Sequence, residues 1–407
     1  MELTFLLELA LKTVFSDMNC TTKRAAEMLK LPMSIVESLL QNLYREKLVE
    51  VRGLVSFGNN RYAMLEHGWE RVQRLLDLNG YIGPAPVSLD AYRAFVVEQA
   101  RARVTVKPET VAAAMSGLVL PQSTLQTLGL VASSRRGLFM SGPSGNGKTS
   151  IAKSMHEAQG SEIWVPYALG VDGQIIKIFD PHNHKPVAAD SANRYDQRWI
   201  KVKRPLVIVG GELTIETMDL IYSRSVRFYE APFQLKSNGG TLIIDDFGRQ
   251  RIDPRDLLNR WIIPLEGRVD YLTLHTGKKI EVPFEQLLIF ATNLEPERLV
   301  DEAFLRRIGY RLEIAPPARQ GYTEIFDRYI ESAGFASDPE CVDFLVKCHE
   351  AENWPLRGCE PRDLVDRCTD ICEYEGRPKV VTRELLALAW QNYYGKPPAV
   401  MARPELP

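Results

Sequence analysis

Gly142-Pro143-Ser144-Gly145-Asn146-Gly147-Lys148-Thr149 fits the pattern G-x-x-x-x-G-K-[ST] at every fixed position. A short apolar run, Gly137-Leu138-Phe139-Met140, comes before it, and a helical pattern from Ser150 to His156 follows. Strand, glycine-rich loop and helix in that order make a phosphate cradle. The glycines let successive backbone N–H groups turn inward, and the helix start adds its partial positive charge. Gly142 through Thr149, with Ser150 behind them, are therefore the expected nucleotide contacts. Lys148 would reach the β- and γ-phosphates, and the Thr149 hydroxyl would bind a magnesium ion, so ATP with Mg2+ is the implied ligand.

A second motif, Thr241-Leu242-Ile243-Ile244-Asp245-Asp246, lies about 100 residues further on. Its apolar and β-branched residues describe a buried strand that delivers carboxylates to the phosphate site. Asp245 would hold the magnesium, directly or through water, and Asp246 would orient and activate the attacking water.

Composition bounds the rest. The chain has 407 residues, 45% of them hydrophobic and 25% charged, and a formal net charge of −2. These are the proportions of a soluble globular chain with two or three domains and no global bias towards nucleic acid or acidic membranes. The six cysteines include no C-x-x-C pair, which argues against a disulfide framework and fits a reducing compartment. No apolar run approaches a membrane span, and Met1-Glu2-Leu3-Thr4 puts acid where a signal peptide needs positive charge. A cytoplasmic protein without membrane insertion is expected.

Residues 1–78 read as helices over Leu3–Phe15 and Thr21–Leu29 and a third after Pro32 with Ser34 as its cap, followed by a hairpin and a last helix. The third carries Ile35, Val36, Leu39, Leu40 and Leu43 at helical spacing; the hairpin runs are Leu48–Val51 and Arg61–Met64. This order resembles a winged helix-turn-helix. Residues 1–80 hold ten basic and ten acidic side chains, so phosphate neutralisation is weak there. Protein docking is favoured for this module, with DNA binding as the alternative. Asn79-Gly80-Tyr81-Ile82-Gly83-Pro84 reads as a turn-rich linker, with helices expected over Ser88–Arg103, Pro108–Ser116 and Pro121–Leu130.

Beyond the phosphate loop, Glu162–Tyr167 is a candidate second strand, and Leu206–Val209 is another buried strand or part of the second. Val171-Asp172-Gly173-Gln174 is a hairpin turn. Asp180–Arg204 reads as a surface insertion in which His182 and His184 are exposed loop histidines, and Ile215–Tyr222 as a short helix. The loop Ser223–Lys236 carries Arg227, Phe228, Tyr229 and Phe233, aromatics that either grip a polypeptide or pack against the sheet.

After these motifs the apolar run Leu287-Leu288-Ile289-Phe290 leads into Ala291-Thr292-Asn293. An apolar strand ending in Thr-Asn resembles the sensor-1 strand of AAA+ ATPases, and over residues 105–395 the chain resembles that family. The resemblance implies that Asn293 bonds the γ-phosphate and the lytic water. Leu299–Ile308 is similar to the arginine-finger segment, with Arg307 as first choice and Arg306 and Arg311 as alternatives. A finger serves the neighbouring subunit's nucleotide, which implies a ring, commonly a hexamer. Asn238-Gly239-Gly240 and the hairpin pattern Tyr271–Val282 resemble the corresponding turn and pre-sensor-1 hairpin of MoxR-like proteins and enhancer-binding ATPases. Many relatives have glutamate where Asp246 stands, so turnover is expected to be slow or to need closure by a neighbour.

From Gly321 the pattern is wholly helical and resembles the family's lid, with Glu360-Pro361-Arg362-Asp363-Leu364 as the sensor-2 helix start, Arg362 towards the γ-phosphate and Arg357 as rival. Cys341, Cys348, Cys359, Cys368 and Cys372 fall in this lid and read as core residues. The expected architecture is α/β: a winged-helix module at 1–78, a linker and helix at 79–104, and a P-loop NTPase core with a five-stranded parallel sheet at 105–320. A helical lid at 321–395 and a disordered tail at 396–407 complete it. The implied activity is Mg-dependent ATP hydrolysis coupled to remodelling a macromolecule, most readily a protein. A DNA-associated ATPase and a nucleotide switch with little turnover are the competing readings.

Overall fold

The computed structural model describes residues 3–102, 105–188, 195–299, 306–338 and 340–401. Its α/β character rests on a five-stranded parallel sheet, ordered Tyr310–Glu313, Leu138–Ser141, Leu287–Ala291, Thr241–Ile244, Leu206–Val209. Every residue of Thr241–Ile244 and Leu287–Ala291 is buried, as strands covered on both faces must be. Leu206–Val209 takes the edge. Glu162–Pro166 stays out of this sheet and pairs antiparallel with Trp199–Lys203. Both strands keep one wet face, Ile208 being exposed in the first and Glu162 in the second, so which of them joins the parallel sheet is set by strand pairing and not by burial pattern.

The described residues form two compact units. The first lies within 1–104, 160–243 and 250–288. It begins with helices Leu3–Ser16, Thr22–Leu29 and Met33–Arg45, then the hairpin Val49–Ser56 and Asn59–Met64, then the helix Glu66–Leu78. Leu9, Leu11, Leu29, Val36, Leu40, Tyr62 and Val72 fill their common core. Thr21 caps the second helix through the Arg24 N–H. The third helix starts one residue before Ser34, after Pro32, so Ser34 is not its cap. Its buried stripe is Val36, Leu39, Leu40 and Leu43, and Ile35 turns outward.

The segment after Leu78 is tied down rather than loose. The buried Lys12 ammonium donates to the Asn79 carbonyl at 2.6 Å, Gly80 N–H to Val226 O at 2.9 Å, and Ala85 N–H to Leu29 O at 2.8 Å. A second sheet, ordered Ile221–Ser223, Phe228–Glu230, Gln174–Lys177, Ala168–Val171, Val87–Ser88, belongs to the same unit. The turn between Ala168–Val171 and Gln174–Lys177 has φ of 48° at Asp172 and 73° at Gly173, the twist that a two-residue hairpin requires.

Two expectations fail here for local reasons. Ile215–Tyr222 is a single 3-10 turn at Glu216–Met218 followed by the strand Ile221–Ser223. Thr214 and Thr217 hydrogen-bond each other's backbone and side chain, which competes with a helical ladder among β-branched neighbours. His184 is fully buried, its Nδ1 accepting from Asp180 N–H at 3.0 Å and its Nε2 facing Lys236 O at 2.8 Å. Since Nδ1 accepts, Nε2 carries the proton, and burial pushes the imidazole pKa down. The aromatics after Ser223 pack: Tyr229 is buried, and Phe228 meets Tyr81 edge-on at 5.6 Å.

The second unit lies within 105–159, 244–249 and 289–407. It holds Pro108–Ala114, Gln122–Ser134, Lys148–Ala158 and four helices, Arg319–Ser332, Glu340–Glu352, Glu360–Glu375 and Arg383–Tyr394. Tyr322, Phe326, Leu345, Leu364, Leu386 and Trp390 form the core of these four. Cys341, Cys348, Cys368 and Cys372 are buried in that core, and Cys359 is half-buried. The tail contains a 3-10 turn at Ala399–Met401; its remaining residues lie outside the described ones.

Candidate functional site

The strand Leu138–Ser141 ends at Gly142, whose φ of 137° suits glycine; a Cβ there would lie 2.2 Å from the Ile314 carbonyl oxygen. Gly145 has φ of 83°, and a Cβ would lie 2.6 Å from Cys359 Sγ. The loop can therefore close only over residues without side chains at these points. Gly147 starts the helix Lys148–Ala158 without a side-chain cap, so the first-turn N–H groups keep their capacity for an anion.

Lys148 Nζ donates to the carbonyls of Gly142 at 2.8 Å and Pro143 at 2.9 Å. Burial pushes its pKa down, and the carboxylates of Asp245 and Asp246 oppose that shift. Thr149 Oγ1 donates to Asp245 Oδ2 at 2.8 Å. Asp245 Oδ1 also accepts the Asp246 N–H at 3.1 Å, which orients the carboxylate. Asp246 is exposed and sits at φ of 48°, a left-handed conformation uncommon for a non-glycine residue. Thr292 Oγ1 donates to Phe247 O at 2.7 Å and accepts from Leu294 N–H at 3.1 Å, fixing the turn that carries Asn293. Asn293 Oδ1 is buried without a hydrogen-bond partner among the described residues, an acceptor held ready inside the cleft.

These side chains line one cleft of about 340 Å³, with Gly117–Leu120, Ile325, Tyr329, Gly358, Cys359 and Arg362 as its other wall. Arg362 is held by Asp363 Oδ1, at 3.0 Å from Nε and 2.9 Å from Nη2. Arg357 does not line the cleft; its Nε lies 4.0 Å from Glu360 Oε1. Neither do Arg306, Arg307 and Arg311: Arg306 and Arg311 are exposed, and Arg307 is half-buried. Residues 300–305 of the same segment lie outside the described ones.

The donor set fits a magnesium nucleotide. It offers a backbone cradle that excludes Cβ atoms, a lysine, a hydroxyl beside a carboxylate, and an orphaned amide oxygen. Among the described residues no group of three or more His, Cys, Asp or Glu is placed to hold a metal alone, so phosphate oxygens would have to complete the shell around Thr149 and Asp245. The Gly117–Leu120 wall and the contribution of Tyr329 and Cys359 carry no motif, and position in the chain was their only signal.

A family model described as a domain of unknown function (DUF8689) matches residues 318–392. No curated protein matches the chain in sequence. Among solved structures, the chain is similar to NtrX from Brucella abortus in complex with ADP, at 16% identity and TM-score 0.45 over 76% of this chain and 60% of that one. The ATP complex of the same protein aligns at 17% identity and TM-score 0.42 over 91% of this chain and 65% of that one. The RuvB Holliday junction branch migration motor of Thermotoga maritima aligns at 12% identity and TM-score 0.41 over 67% and 70%. The chain thus spans less than two thirds of the length of the NtrX chains. The fold is α/β, built on a parallel five-stranded sheet in which Leu138–Ser141 runs through the glycine-rich loop into the helix Lys148–Ala158.

Proposed function

We propose that this chain is a magnesium-dependent AAA+ ATPase that remodels a macromolecule, most readily a protein or protein complex. The observation that carries the reading is the 2.8 Å hydrogen bond between Thr149 and Asp245, residues 96 positions apart that close one cleft with Lys148, Asn293 and Arg362. In this reading Lys148 and the loop N–H groups hold the phosphates, and Thr149 and Asp245 hold magnesium, which supplies charge neutralisation. Asp246 orients the attacking water and takes its proton. Asn293 Oδ1 accepts from that water, and Arg362 brings a lid cation to the γ-phosphate. Arg307, with Arg306 and Arg311 as alternatives, acts on a neighbouring subunit's nucleotide in a ring, commonly a hexamer.

A protein target is preferred to DNA because the N-terminal hairpin presents the apolar side chains of Leu54 and Phe57 to solvent, and its exposed Arg52 is paired with Glu50. No helix among the described residues is long and apolar enough to cross a membrane. The free state of all six cysteines supports a reducing, cytoplasmic setting.

Titration with a fluorescent ATP analogue, alongside phosphate release, tests the reading. The chain should bind and turn over ATP, and Lys148→Ala should weaken binding about tenfold or more and abolish turnover, the change expected from losing a charge-assisted phosphate contact. Absence of nucleotide affinity in the unmodified chain overturns it. The left-handed backbone and short side chain of Asp246 favour a second reading, a switch that binds ATP and scarcely hydrolyses it. A large gain in turnover in Asp246→Glu supports that version; a fall in turnover rejects it.

A further inference from the structure

The mechanism above uses the backbone of Asn146 and leaves its side chain unexplained. That side chain is 9% exposed and lines the cleft. It accepts a hydrogen bond at 3.1 Å from the N–H of Gly358, 212 positions away and two residues before the helix Glu360–Glu375 that carries Arg362. Of the two terminal atoms of an asparagine side chain only the amide oxygen can accept from an N–H, so Oδ1 faces Gly358 and the identity of the other atom follows: it is Nδ2, a donor. Nδ2 is buried with no hydrogen-bond partner among the described residues. A buried amide donor left unpaired is costly, and such a group in a binding cleft points to an acceptor that arrives with the ligand.

The Gly358 segment is also well anchored on its far side. Glu360, buried, accepts from the Arg357 N–H at 3.2 Å and from the Tyr394 hydroxyl, so movement at Gly358 is passed to the helix rather than absorbed by a slack loop. Cys359 packs on the phosphate loop beside the same contact, at the point where Gly145 has no side chain.

We propose that Asn146 couples nucleotide to lid: Nδ2 donates to an acceptor atom of the bound adenine nucleotide while Oδ1 holds Gly358, so occupancy of the cleft fixes the start of the Arg362 helix. This rests on the ATP-binding reading and adds to it a sensing role for a loop side chain.

The test compares Asn146→Ala and Asn146→Asp with the unmodified chain by ATP-analogue titration and by hydrogen exchange over residues 357–375, with and without ATP. The unmodified chain must first bind ATP; if it does not, the ATPase reading fails and not this step. Loss of one hydrogen bond to a charged acceptor predicts affinity lower by about 10- to 100-fold in both variants. Asn146→Ala should also lose the ATP-dependent protection of 357–375, whereas Asn146→Asp keeps an acceptor for Gly358 and its protection without nucleotide. Both variants binding within about twofold of the unmodified chain overturns the proposal, as does full ATP-dependent protection in Asn146→Ala. Should Asn146→Ala fail to fold, the affinity of Asn146→Asp decides.

Discussion

Thr149→Val removes one oxygen and almost no volume, which makes it a clean probe of the contact on which the proposed chemistry depends. In the structure that oxygen donates to Asp245 Oδ2 at 2.8 Å, and Asp245 Oδ1 keeps the Asp246 N–H at 3.1 Å. The carboxylate therefore stays oriented after the change, and the loss is confined to the hydroxyl. A hydrogen bond to a charged group contributes about 1.5–3 kcal/mol, so losing an equivalent hydroxyl-to-magnesium bond should weaken magnesium-nucleotide binding by about 10- to 100-fold. Without magnesium the hydroxyl has no ion to hold, and affinity in chelator should change by about twofold or less. Parallel titrations of a fluorescent ATP analogue in magnesium and in chelator read the difference directly. Equal losses in both conditions, or none in either, would refute the assignment of Thr149 as a metal ligand.

Two further outcomes follow from other parts of the molecule. Arg307→Ala should keep ATP affinity and lose turnover by about 10³-fold or more, the scale of an arginine finger, and mixing with Asp246→Asn should restore part of it if the finger acts on a neighbour. Turnover that is unchanged, or lost together with affinity, counts against Arg307 and moves the role to Arg306 or Arg311. His184 is buried neutral, so the unfolded chain takes up a proton near pH 6.5 while the folded one resists until lower pH. The unfolded state then binds more protons across that window, and local stability falls as pH drops below about 6.5. Hydrogen exchange at the Asp180 and His184 amides should accelerate on acidification relative to a His184→Gln variant, and identical profiles would reject it.

How much was legible in the sequence varied with the range of the interaction that set each feature. Gly142–Thr149 was readable because its glycines answer a local demand, backbone free to turn and to lie against its neighbours. The Asp172-Gly173 turn was readable for the same reason, being settled within a few residues. Asp245 and Asn293 were readable because buried parallel strands have an apolar signature that marks where polar residues re-emerge. Ile215–Tyr222 misled because Thr217 bonds Thr214 just ahead of the segment, and His184 because the carbonyl of Lys236 that it meets is 52 positions away.

The sequence by itself determined the glycine-rich loop between strand and helix, the acid-tipped strand and the largely helical character of residues beyond Gly321, where only the short strand pair Ala336–Ser337 and Val380–Val381 departs from it among the described residues, since periodicity and backbone freedom encode these within a single segment. Tertiary structure alone decided that Leu206–Val209 and not Glu162–Pro166 joins the parallel sheet, that Arg362 and not Arg357 lines the cleft, and that Asn146 turns its oxygen to Gly358. Each of these is a choice between chemically similar candidates, made by which distant segment buries the alternative or supplies its hydrogen-bond partner.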